Sequence, residues 1–154
     1  MDEKNWLSLL SEKDQVNALM KTNQVTNRFG LALSEEETRL LIGQKQDVLR
    51  QQQRVEFGGG VLEKLIFAFC DSNYIRQDDY AETLGRLLEI FYLYKNESLD
   101  ELTDDELIDY MRQAFEGECY GSLEYLEETC LEDFVRKIRC RSAHLSWREN
   151  EDGK

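Results

Sequence analysis

Apolar side chains recur along this chain at intervals of three and four residues, the spacing that lines one face of an α-helix. Val16, Leu19 and Met20, with Leu9 and Leu10 before them, predict an amphipathic helix from about Trp6 to Thr22. Leu40, Leu41, Val48 and Leu49 predict a second helix, running to about Gln53, whose other face is rich in Gln and charge. Val61, Leu62, Leu65, Ile66, Phe67, Phe69 and Cys70 follow. They leave almost no polar side, so helix 61–70 is expected at the centre of the core. Tyr80, Leu84, Leu87, Leu88, Phe91 and Tyr92 mark a fourth helix over about 78–94. Leu107, Ile108, Met111, Ala114 and Phe115 mark a fifth over about 103–115. Leu123, Leu126, Cys130, Leu131, Phe134, Val135 and Ile138 mark a last one over about 122–139. No alternation of apolar and polar positions, the period of a strand, persists anywhere.

The residues between these runs are helix starts and stops. Ser34-Glu35-Glu36-Glu37 and Thr103-Asp104-Asp105-Glu106 read as capping boxes. In each, the hydroxyl accepts from the third helical amide and the Glu reaches back to the cap. Gly58-Gly59-Gly60, Asp71-Ser72-Asn73, Lys95-Asn96-Glu97-Ser98, Gly117 and Gly121 end helices or form loops. Asn23 to Leu33, polar and holding Gly30, reads as a plain connection. Proline is absent, where average usage of about 5% would give several, so nothing kinks these helices. The expected fold is all-α, an irregular bundle of five to seven helices in a single domain over 1–148, with its core at about 30–140 and a frayed tail at 149–154. A faint repeat relates helix 61–70, a loop and helix 78–94 to helix 103–115, a loop and helix 122–139.

Several strings carry a family resemblance. They are Arg54-Val55-Glu56-Phe57-Gly58, Phe69-Cys70-Asp71-Ser72, Tyr80-Ala81-Glu82-Thr83-Leu84, Lys95-Asn96-Glu97-Ser98 and Gly121-Ser122-Leu123-Glu124-Tyr125-Leu126. Over about residues 30–140 the chain resembles an uncharacterised family of small bacterial proteins, a domain of unknown function. The resemblance implies a free-standing bacterial protein. It brings no activity, ligand or site residue with it.

Charge changes the picture more than composition does. The 154 residues carry a net charge of −13, with 41% hydrophobic and 33% charged residues, an ordinary soluble balance. That charge is localised. Residues 97–133 hold fourteen acids and one base, Arg112, while the rest of the chain balances. Residues 134–148 then carry Arg136, Lys137, Arg139, Arg141 and Arg148. Such an acidic block repels phosphate backbones, so direct nucleic-acid binding is not expected. The N-terminus has no basic start followed by an apolar run, and the most apolar stretch is half a membrane span, so a cytoplasmic protein away from membranes is expected. Cys70, Cys119, Cys130 and Cys140 are expected to stay reduced there.

The candidate chemistry is sparse. An EF-hand loop needs oxygen ligands at positions 1, 3, 5, 7, 9 and 12, and glycine at 6. Residues 116–127 offer Glu116, Glu118, Gly121, Ser122, Glu124 and Glu127 in register, but Tyr120 fills position 5, where a short oxygen donor belongs. A weaker counterpart, 71–82, has Asp71, Asn73 and Glu82 but places Arg76 at the glycine position. Cys119, Cys130, Cys140 and His144 supply soft ligands for zinc without a paired Cys-x-x-Cys spacing. The glycines at 58–60 before a helix could expose amides to a phosphate, yet lack the P-loop lysine. Ser142 near His144 is the one local nucleophile–base pairing. Phe91-Tyr92-Leu93-Tyr94 reads as a core stripe with tyrosine hydroxyls at its rim. Each has a plain structural alternative, and no cofactor is expected.

Three functions follow, in order. The first is a non-catalytic protein-interaction or adaptor module whose acidic face, 97–133, meets a protein with a basic surface, with Asp104, Asp105, Glu124 and Glu128 as interaction residues. The second is a calcium- or ligand-binding regulator built on a degenerate EF-hand-like loop at 116–127, with Glu116, Glu118 and Glu127 as calcium ligands. The third is an enzyme whose site has no sequence-local motif.

Overall fold

Both capping boxes form. Ser34 Oγ accepts from Glu37 N at 3.1 Å while Glu37 Oε1 accepts from Ser34 N at 2.9 Å. Thr103 Oγ1 and Glu106 make the same exchange at 3.2 and 3.1 Å. Each box satisfies amides that a helix N-terminus otherwise leaves open. The structure, a computed structural model, describes residues 13–54, 60–98 and 101–130, together with 133, 136, 137 and 140. Every regular element among these is helical, as the periodicity predicts.

In chain order, α1 covers residues 13–21 and α2 is Asn23–Thr26, closing in a 3-10 turn at Asn27–Phe29. Next come α3, Glu35–Gln51, and α4, Gly60–Phe69. A 3-10 turn at Gln77–Asp79 leads into α5, Tyr80–Glu97. Helix α6 is Asp104–Glu116, and α7 is Leu123–Tyr125, widening into a π turn at Leu126–Cys130. The chain divides into two compact units, Met1–Tyr92 and Leu93–Lys154.

In the first unit, α3 buries Thr38, Leu41, Ile42, Lys45 and Val48. Leu40, expected on the inner stripe, is 69% exposed. The stripe runs through Leu41 and Ile42, and at about 100° per residue Leu40 falls outside it. Helix α4 buries Val61, Leu62, Leu65, Ile66 and Phe69, as expected for a central helix, but Phe67 is half exposed. The more enclosed helix is α5. From Leu84 to Tyr92 only Arg86 and Glu89 are exposed. Its approach to α3 is close: a Cβ on Gly85 would lie 2.4 Å from Gln44 Oε1, and Gln44 Nε2 donates to Glu89 Oε1 at 2.8 Å. Glycine is what lets the Gln44 side chain lie across α5 at this point.

The segment expected to be a plain connection, Asn23–Leu33, is structured through side chains. Its first half winds into α2 and the 3-10 turn, which ends at Gly30 in the left-handed region (φ 76°). The chain then runs extended, and side chains take up its main-chain groups. Asn23 Oδ1 accepts from Leu33 N at 2.8 Å and Asn23 Nδ2 donates to Leu33 O at 2.9 Å. Gln77 does the same for Ala32, at 2.7 and 2.9 Å, and the Thr26 hydroxyl donates to Leu31 O at 2.8 Å. Leu31 and Leu33 can therefore be buried without leaving their backbone polar groups open.

In the second unit, α6 buries Leu107, Ile108, Met111 and Phe115 and packs against the π turn, where Leu126 is fully buried. Tyr94 is buried too, and its hydroxyl donates to the main-chain carbonyl of Glu127 within that turn. Of the aromatic run, Phe91 and Tyr92 of the first unit are buried as well. The Phe91 and Tyr92 rings meet edge-to-face with centroids 5.0 Å apart.

Candidate functional site

Within the second unit, residues 97–133 concentrate charge of one sign, ahead of the basic residues at 134–148. Lys95 and Arg112 are the two cations between residues 93 and 130, and both are engaged locally. Lys95 Nζ pairs with Asp104 Oδ1 at 3.0 Å, and Arg112 Nε pairs with Glu116 Oε1 at 3.3 Å across one turn of α6. The carboxylates of Asp105, Asp109, Glu118, Glu124 and Glu128 reach the surface. Glu106 is also exposed, and its carboxyl is held below the usual carboxylate range. The Thr103 amide contributes most to that shift, then the Thr103 hydroxyl, while the nearby Lys95 charge adds to it.

Two aromatic rings stand in this surface. Tyr120 is 77% exposed and Tyr125 is 44% exposed. Tyr120 occupies the left-handed region (φ 49°), where a bulky side chain is uncommon. In the sequence Tyr120 is conspicuous only as a misfit in a calcium loop. The signal that places it is its position between Gly117 and Gly121, which takes it off any helical stripe.

The four expected interaction residues fare differently. Asp105, Glu124 and Glu128 are exposed, on α6, α7 and the π turn respectively. Asp104 is half-buried and bound to Lys95.

The stretch 116–127 folds as the end of α6 and the start of α7. Gly117 N donates to Gln113 O at 2.9 Å, Cys119 N to Ala114 O at 3.0 Å and Gly121 N to Phe115 O at 2.9 Å. These bonds close the carbonyl end of α6. The Ser122 carbonyl, which an EF-hand would turn toward calcium, accepts from Leu126 N at 3.1 Å, and the Ser122 hydroxyl caps α7 through Tyr125 N. Glu116 is paired with Arg112, and Glu127 lies in the π turn. Glu116, Glu118 and Glu127 do not converge, and among the described residues no three His, Cys, Asp or Glu side chains do. The helix-ending hydrogen bonds take the main-chain groups that a metal loop would need.

Of the cysteines, Cys70 and Cys119 are buried thiols and Cys140 is an exposed one, each without a disulfide. Ser142, His144, Gly58 and Gly59 lie outside the described residues, and with them the Ser-His pairing and most of the glycine run. Gly60 is described, and opens α4 at a φ of 65°.

One polar group is enclosed in the first unit. The Tyr80 phenol lies near Thr26 and Cys70, and burial pushes its pKa up to about 12. Thr26 opposes that shift, yet the pair falls outside hydrogen-bond geometry, and Thr26 already donates to Leu31 O. Among the described residues, the Tyr80 hydroxyl is the buried side-chain polar atom with no hydrogen-bond partner.

The chain belongs to a family of unknown function (DUF6323), matched over residues 18–144. This range contains residues 30–140, the span of the resemblance, and extends it at both ends. No curated protein and no solved structure matches the chain. Among the described residues, no helix is long and apolar enough to cross a membrane.

Proposed function

We propose that this protein is a non-catalytic interaction module that binds a protein with a basic surface through the acidic face of α6 and α7. The observation that carries this reading is the pairing of charges between residues 93 and 130. Lys95 pairs with Asp104 and Arg112 with Glu116, and acids far outnumber these two cations between residues 93 and 130, with Asp109, Glu124 and Glu128 among those at the surface. A surface of one sign steers a partner of the other and repels competitors. The same field disfavours nucleic acid, since a phosphate backbone approaching it meets like charge. Tyr120 and Tyr125 add ring faces onto which arginine or lysine side chains of the partner can stack.

The setting we propose is the bacterial cytoplasm. The family resemblance supports the bacterial part, and the unbridged thiols of Cys70, Cys119 and Cys140 suit a reducing compartment.

The test is capture from the source cell's lysate on immobilised protein at low and high ionic strength. Wild type is compared with a triple variant, Asp105→Asn, Glu124→Gln and Glu128→Gln. Asp104 is kept, because its loss would mix binding with stability. Circular dichroism confirms that both are folded. The expected result is a specific protein that wild type retains, that salt releases and that the variant fails to hold. Equal retention by the two forms at both ionic strengths overturns the proposal.

A further inference from the structure

We draw no further inference here: the strongest candidate, the exposed Tyr120 and Tyr125 rings at the turn between α6 and α7, lies on the acidic surface already proposed as the interaction face, and nothing in the structure shows what covers it.

Discussion

Lys95 Nζ lies 3.0 Å from Asp104 Oδ1 and also donates to the main-chain carbonyl of Leu102. The ammonium side chain is 11% exposed, while the carboxylate is 41% exposed. The more buried partner is therefore the one that depends on the pair. Removing only the carboxylate strands a mostly buried charge, whereas removing the charge leaves a carboxylate that water still reaches. Asp104→Asn is expected to lower stability by about 1–2 kcal/mol. Lys95→Met, which keeps the bulk of the stem, is expected to cost less. Urea denaturation of both variants and of the double variant checks this. A larger loss for Lys95→Met than for Asp104→Asn would reverse the assignment.

The Tyr80 hydroxyl gives up its water on folding and gains no bond. Tyr80→Phe is therefore expected to leave stability within about 0.5 kcal/mol of wild type or to raise it by up to about 1 kcal/mol. Tyr80→Ala is expected to cost about 3–5 kcal/mol, because it empties a buried ring site. The alkaline limb separates the variants further. The phenol pKa is raised from 10.0 to about 12 in the fold, so its contribution is fully present below 10 and is lost as pH rises toward 12. Thermal denaturation across that window should show a shallower loss for Tyr80→Phe than for wild type. A stability loss above about 1 kcal/mol in Tyr80→Phe would mean that the hydroxyl is bonded.

Asn23 holds both main-chain groups of Leu33, and each of its atoms has one role there. Asn23→Asp keeps the acceptor and replaces the donor with a second oxygen facing the Leu33 carbonyl. The expected loss is about 1–3 kcal/mol. Gln77→Ala acts on the neighbouring Ala32 at an exposed site, and about 0.5–1 kcal/mol is expected. Hydrogen exchange gives a local readout: the Leu33 amide should lose protection in Asn23→Asp, and the Ala32 amide in Gln77→Ala. Unchanged protection at both amides would remove side-chain support as the reason this segment is ordered.

The Glu106 carboxyl is lowered from 4.5 by its bonds to Thr103, so folding favours the ionised form. The contribution is present above the unfolded carboxyl's pKa and is lost as pH falls through the lower folded value. Glu106→Gln can keep the bond to the Thr103 amide without titrating, so the acid limb of its stability curve should be flatter than that of wild type. Thr103→Ala, which removes the cap hydroxyl, is expected to cost about 1 kcal/mol at neutral pH. Identical acid limbs for wild type and Glu106→Gln would show that the box does not contribute to the pH dependence.

Much of the fold was legible because its signals are short-range. A capping box spans four residues, and both boxes were read where they form. Helical periodicity likewise placed α3 to α6 to within a few residues. The misreadings came where distant groups intervene. Leu40 is as apolar as Leu41, and the choice between them depends on which face of α3 meets its neighbours. Asn23–Leu33 lacks an apolar period, and its order depends in part on Gln77, forty-five residues from Ala32.

The candidate face divides in the same way. Sequence alone determined that the acids cluster at 97–133, that the chain is all-α and that it belongs to its family. Those are properties of composition and of neighbours along the chain. Tertiary structure alone decided that Asp104 is half-buried against Lys95 while Asp105 is exposed, and that Tyr120 stands out from the surface. Adjacent residues on a helix point about 100° apart, so two neighbouring aspartates with the same intrinsic chemistry meet different surroundings once the chain is packed.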